Sequence, residues 1–91
     1  MTTSAEQVAT VSVRYFAGAR AAAGVAEEAV RLASPATVDD VLAAVRELHD
    51  ERLAKVLPAC SFLLDGVAVR DRGTEVPAEA TLDVLPPFAG G

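Results

Sequence analysis

The chain lacks several of the residues on which many sites depend. It has 91 residues, no tryptophan, one cysteine, one histidine and only 4% aromatic residues. Cys60 alone cannot form an internal disulfide, and His49 has no second histidine or cysteine nearby to complete a zinc site. No apolar run approaches the roughly 18 residues of a membrane span. We therefore expect a soluble, cytoplasmic protein with no disulfide, bound metal or membrane contact.

Basic residues are also scarce. Eight Lys and Arg stand against 13 Asp and Glu, which gives a net charge of -5. Nucleic-acid binding requires clustered basic side chains that displace phosphate counterions, whereas the basic residues here are scattered singly. The composition excludes a nucleic-acid partner and favours a basic protein partner.

What is present is a globular composition with 52% hydrophobic residues, enough for one domain with a core of Val, Leu and Ala. Residues 1–7 are predicted to be a loose lead-in, residues 8–85 the folded domain and residues 86–91 a flexible tail. Alternation of apolar and polar residues predicts strands. The predicted strands are 8–16, 25–32, 60–65, 67–69 and 81–85.

Other signals fill in the connections between these strands. Residues 17–24 are predicted to form a loop with at most one helical turn, and residues 70–80 an irregular surface loop. The pair Asp65-Gly66 predicts a type I′ hairpin turn. In the first strand Val11, Val13 and Tyr15 share the inward face.

One helix is strongly indicated after Thr37. Thr37 is its predicted N-cap, and Asp39 and Asp40 complement the positive end of the helix dipole. An apolar stripe at helical spacing marks its buried face: Val38, Val41, Leu42, Val45 and Leu48. A shorter helical continuation ends at Pro58. One amphipathic helix covers one face of a mixed four- to five-stranded sheet, so the fold class is α+β.

The tail has the composition of a reactive arm. Pro86 and Pro87 favour extended backbone, Phe88 is an apolar residue without an obvious partner inside the chain, and Ala89, Gly90 and Gly91 leave the end narrow. Six residues reach about 20 Å when extended. The terminal carboxylate of Gly91 is therefore the candidate reactive group, and the residues before it are candidates for partner binding.

Other candidate groups have simpler interpretations. Cys60 could carry a persulfide, but its phase with Phe62 favours a small core residue. His49 is interpreted as a solvated residue or one at the C-terminal end of the helix. The adjacent acidic pairs 39–40 and 27–28 diverge too far to form a catalytic dyad.

Three segments of the chain carry a family resemblance. They are Val13-Arg14-Tyr15-Phe16-Ala17, the helix start Thr37-Val38-Asp39-Asp40-Val41-Leu42 and the ending Val84-Leu85-Pro86-Pro87-Phe88-Ala89-Gly90-Gly91. With them the sequence resembles the MoaD family, the small subunits of molybdopterin synthase, within the ThiS/MoaD ubiquitin-like superfamily. The resemblance implies a β-grasp fold.

The resemblance also implies a function. Such a carrier is not an enzyme on its own, but it is the sulfur-donating subunit of an enzyme complex. Its terminal glycine, here Gly91, is adenylated by an ATP-dependent partner and converted to a thiocarboxylate by a sulfur donor. The carrier binds no cofactor itself and passes sulfur to a pterin precursor within a complex with the large subunit of molybdopterin synthase. A sulfur carrier for thiamine or cysteine biosynthesis and a ubiquitin-like modifier remain as alternatives.

Overall fold

The computed structural model describes residues 7–87. The elements in chain order are β1 (Val8–Tyr15), α1 (Ala17–Ala23), β2 (Glu27–Ala33), β3 (Ala36–Thr37), α2 (Val38–Leu48), α3 (Glu51–Val56), a 3-10 turn (Leu57–Ala59), β4 (Ser61–Leu64), β5 (Val67–Ala68), β6 (Glu75–Val76) and β7 (Thr81–Leu85). Within this part of the chain no helix has the length and apolar character needed to span a membrane.

The main sheet has five strands in the order β2-β1-β7-β4-β5. The central pair, β1 and β7, is parallel, and the remaining pairs are antiparallel. The last strand of the chain therefore lies in the middle of the sheet, between the first strand and β4. Two short strands, β3 and β6, form a separate antiparallel pair.

The helices cover one face of the main sheet. The inward side chains of β1 predicted from alternation, Val11, Val13 and Tyr15, are buried, as are Leu82 and Val84 of β7. They form one core with four residues of α2, namely Val38, Val41, Leu42 and Val45. The opposite face of the sheet carries no helix in the described chain. A mixed sheet packed on a main helix confirms the predicted fold class.

The start of α2 is fixed by a capping box, which confirms Thr37 as the N-cap. The Asp40 N–H donates to the Thr37 hydroxyl at 3.2 Å, and the Thr37 N–H donates to the Asp40 carboxylate at 2.9 Å. The predicted apolar stripe is wrong at its last position, because Leu48 is 58% exposed. The helix ends at Leu48 and the extended backbone of His49 turns the chain away.

Two predicted loops contain regular structure. Residues 17–23 form the helix α1, which buries Ala19 and ends at Gly24 in the left-handed conformation. Residues 75 and 76 form β6 and pair with β3. The hairpin prediction is confirmed, since Asp65 and Gly66 have φ of 49° and 85° and join Leu64 to its partner Val67. Pro58 lies inside the 3-10 turn that follows α3.

Candidate functional site at the exit of the last strand

β7 ends at Leu85, directly before two prolines that have no backbone N–H to donate. Leu85 pairs with Ser61 of β4, and the next two residues, Pro86 and Pro87, have no N–H to continue the ladder. On the other side, the Phe16 N–H donates to the Val84 carbonyl at 3.2 Å. The tail therefore leaves from the centre of the sheet, at a position held by strands on both sides.

An apolar groove opens at this exit. Its volume is about 780 Å³, and its walls come from the start of α1 with its N-cap, from β4, and from the end of β7 with the two prolines after it. The lining residues are Phe16, Ala17, Gly18, Ser61, Leu85, Pro86 and Pro87. Phe16 remains 38% exposed, so an aromatic ring is accessible in the same groove as Pro86 and Pro87. Exposed apolar surface of this kind is typical of a contact site for another protein.

The sequence prediction and the groove overlap only in part. Pro86 and Pro87, predicted to bind a partner, both lie in the groove wall. Phe88, Ala89, Gly90 and Gly91 lie outside the described residues. Phe16, Ser61 and Leu85 also line the groove but were not predicted as site residues, because they come together only when β1, β7 and β4 pair. The one available signal was that Phe16 and Leu85 fall out of phase with the inward residues of their strands.

A bidentate ion pair reinforces β7 immediately before the exit. Arg14 donates from Nε to Asp83 Oδ1 at 2.7 Å and from a terminal nitrogen to Oδ2 at 3.0 Å. The two residues are partners in the parallel ladder, and Asp83 is only 7% exposed. The hydrogen bond and charge of Asp83 raise the pKa of the Arg14 guanidinium, which also lies 5.8 Å from the Phe16 ring centre. The pair links the carboxyl ends of β1 and β7 next to the groove.

His49 takes part in a polar cluster on the helix-covered side. Its Nε2 lies 2.5 Å from Glu28 Oε2, which also accepts from the Tyr15 hydroxyl at 2.6 Å. The His49 side chain is 13% exposed, so the interpretation as a solvated residue is wrong, although its position at the C-cap of α2 is confirmed. Burial, and then Glu28, raise the pKa of Tyr15. The cluster joins β1, β2 and the end of α2.

The remaining candidates have structural roles. Cys60 is buried, its Sγ donates to the Val56 carbonyl at 3.3 Å, and burial raises the pKa of the thiol. This confirms a core residue and disfavours a reactive thiolate. Asp40 serves the capping box and Glu28 the tyrosine cluster, so neither acidic pair forms a dyad. No group of three His, Cys, Asp or Glu side chains suited to a metal ion occurs among residues 7–87.

The fold is that of the ubiquitin-like β-grasp proteins. SAMP1 from Haloferax volcanii superposes with a TM-score of 0.80 at 27% identity, over 90% of this chain and 99% of that one. A putative molybdopterin converting factor, subunit 1, from Pyrococcus furiosus has a TM-score of 0.79 at 26% identity, over 88% and 99% of the two chains.

Sequence comparison identifies the family within this fold. The ThiS family matches residues 13–91. A molybdopterin synthase sulfur carrier subunit from Chlamydomonas reinhardtii is 33% identical over 82 residues, which cover 89% of this chain and 98% of the relative. The chain belongs to the ThiS family and is a sulfur carrier of the ThiS/MoaD type.

Proposed function

We propose that this protein is the sulfur-donating small subunit of a molybdopterin synthase, with Gly91 as the residue that carries the sulfur. The observation that carries the proposal is the course of β7, which is held between two strands and then runs through two prolines along an open apolar groove. A domain built in this way can present a narrow C-terminal tail to another protein. The name of the algal relative supports the pterin pathway.

The first step activates the Gly91 carboxylate, which is a poor electrophile because of its charge. In an adenylating partner, one carboxylate oxygen attacks the α-phosphorus of ATP and pyrophosphate leaves. The product is a mixed anhydride with AMP. Side chains at the last two positions would obstruct the approach and restrict φ, so Gly90 and Gly91 suit this step.

The second step installs sulfur. Sulfur at the oxidation level of sulfide, supplied by a donor, attacks the carbonyl carbon and AMP leaves with the bonding electron pair. A cysteine thiol with a pKa near 8.5 is only about 3% ionised at pH 7, whereas a thiocarboxylic acid is a much stronger acid. The charged tail therefore presents a nucleophilic sulfur to the pterin precursor, and each tail supplies one of the two sulfurs of a dithiolene.

The large subunit of molybdopterin synthase is the partner that the groove suits. Phe16, Leu85 and the two prolines provide an apolar docking surface at the root of the tail, and Phe88 would extend that contact. Anchoring by an aromatic side chain offsets the entropy of ordering the tail. The thiocarboxylate would need basic side chains from the partner, because an unpaired buried charge is costly.

Deletion of Gly91 tests the assignment of the reactive group. The intact chain, incubated with the adenylating enzyme, ATP and a sulfur donor, should gain the mass difference between sulfur and oxygen. The variant should gain none and transfer no sulfur, while binding to the large subunit is largely kept and serves as the internal control. Sulfur transfer by the truncated chain would contradict the proposal.

A second candidate function, a ubiquitin-like modifier, is favoured by the similarity to SAMP1, which belongs to the small archaeal modifier proteins. A modifier would use the same adenylated glycine but pass it to lysine amines of other proteins. Conjugates of higher mass that contain this chain would support the modifier. A thiocarboxylate that is used for thiamine or cysteine formation, with no binding to a molybdopterin synthase large subunit, would redirect the carrier to another pathway.

A further inference from the structure

The outer edge of β2 is a long strand edge at one side of the main sheet. β2 has seven residues and lies at one end of the five-stranded sheet, and no other strand within residues 7–87 pairs with its outer side. The opposite edge, β5, has only two residues. An edge of this length presents a row of backbone N–H and C=O groups to any strand that can match it.

The hydrogen bonds to β1 identify the groups that face outward. Tyr15 N–H donates to the Ala26 carbonyl at 2.8 Å, and Val11 pairs with Val30 in the same antiparallel register. Hydrogen-bonded positions alternate along such a ladder, so every second residue counted from Ala26 faces β1. The N–H and C=O groups that face away belong to the residues between them: Glu27, Ala29, Arg31 and Ala33.

The side chains of these outward residues lie on the open face of the sheet and are exposed. Glu27 and Arg31 stand four residues apart, on either side of Ala29, with opposite charges. Neither enters a salt bridge within residues 7–87. Glu27 neighbours Arg14 across the ladder, but the guanidinium of Arg14 donates to Asp83. When two copies of β2 run antiparallel, Glu27 of one copy can therefore meet Arg31 of the other.

We propose that β2 pairs antiparallel with β2 of a second copy of the chain, about a two-fold axis at Ala29. In this register Ala29 exchanges hydrogen bonds with its counterpart, and Glu27 of each copy lies opposite Arg31 of the other. Symmetry produces the ion pair twice. A shift of two residues keeps the backbone groups in phase but places Glu27 opposite Ala29 or Ala33, so the charges select one register.

The pairing joins two five-stranded sheets and leaves the tail root open, because none of the groove residues lies on β2. Both tails of the dimer would remain available to activating and receiving partners. The interface is small and each copy carries a net charge of -5, so we expect a weak, concentration-dependent dimer.

Sedimentation equilibrium of the full chain, from about 10 μM to about 1 mM, tests the dimer. Arg31→Glu and Glu27→Arg each place like charges opposite one another twice, and each should weaken dimerisation by about tenfold or more. The double variant E27R/R31E restores both pairs and should restore the dimer. Arg70→Glu makes the same change of charge in an exposed position beyond β5 and should have no such effect.

A backbone variant separates strand pairing from other modes of association. Ala29→Pro removes an N–H that faces outward and has no partner strand within residues 7–87, so the folded chain should keep its circular dichroism spectrum and lose the dimer. Hydrogen exchange should show the Ala29 and Arg31 amides gaining protection with concentration while Glu28 and Val30 do not change.

Four results would overturn the proposal. The first is a chain that stays monomeric at about 1 mM. The second is a dimer that survives Ala29→Pro. The third is failure of E27R/R31E to restore the dimer that the single charge variants weaken. The fourth is a dimer lost in Leu85→Ser, since that result would place the interface at the groove.

Discussion

β7 carries apolar side chains of two kinds. Leu82 and Val84 are fully buried beneath the helices, whereas Leu85, one residue later, lines an open groove with Pro86 and Pro87. The residue types are alike and the positions are adjacent, so the difference lies in what covers them. The chain itself covers Leu82 and Val84, and we propose that a partner covers Leu85, Pro86 and Pro87. Substitutions in the first set should affect stability, and those in the second should affect association.

Among these residues, we expect the buried Leu82 to have the largest effect on the free energy of unfolding. Leu82→Ala leaves a cavity in the central strand and should lower the free energy of unfolding by about 3 kcal/mol, out of a typical total of about 5–15 kcal/mol. Urea denaturation measures the change. A loss below about 1 kcal/mol would show that Leu82 is not part of a well-packed core.

Phe88 follows the two prolines in the sequence, and Phe88→Ala should weaken binding to the large subunit by about 1–3 kcal/mol if it is an aromatic anchor. Calorimetric titration of the folded chain measures the affinity. The urea midpoint should not change. An unchanged affinity would assign Phe88 to ordinary surface.

Leu85→Ser changes the groove residue that directly follows the buried Val84. The variant should lower large-subunit affinity by about 1–2 kcal/mol, while the free energy of unfolding changes by less than about 1 kcal/mol. Leu48→Ser is the matched control, because Leu48 is exposed on α2 outside the groove. Equal losses of affinity in both variants would argue against the groove as the docking surface.

The smallest effect concerns the polar cluster under the covered face. Tyr15→Phe removes one hydrogen bond to Glu28 and should cost about 1 kcal/mol at neutral pH. Tyr15 keeps its proton in the folded state because its pKa is raised, whereas unfolded tyrosine ionises near pH 10. The wild type therefore loses stability as pH rises above about 10, and the gap between it and the variant should narrow. Urea midpoints at pH 7 and pH 11 test this, and a constant gap would contradict it.

Local signals were enough for the elements with strong periodicity. The strand of Val11 and Val13, the capped start of α2 at Thr37 and the turn at Asp65-Gly66 all follow from residue type and spacing. The helix α1 is longer than the single turn expected for residues 17–24, because glycine at position 18 is a weak helix former while the packing of Ala19 into the core stabilises the helix. β6 has two residues, too few for any periodic signal.

From the sequence, only the site residues that are neighbours along the chain could be predicted. Pro86 and Pro87 could be selected because they precede the glycines, but Phe16 joins them only through the pairing of β1 with β7. Arg14 and Asp83 are 69 residues apart, and His49 meets Glu28 across 21. Such pairs depend on how the strands are arranged in the sheet, and alternation and capping signals contain no information about that arrangement. Leu48 has the helical phase of a core residue, but it is the last residue of α2 and stays exposed. The next residue, His49, contacts Glu28 on the sheet instead.

The parallel pairing of β1 with β7 also has a consequence for synthesis on the ribosome. The middle of the sheet stays empty until residues 81–85 have left the exit tunnel, because β1 and β4 have no contact in the ladder without the strand between them. Loop closure over such a separation comes late in folding. We therefore expect nascent chains to remain incomplete and protease-sensitive until the segment beside Gly91 has been made. A chain truncated within β7 would lack both the central strand and the tail, so we do not expect it to accumulate as a folded domain without a tail.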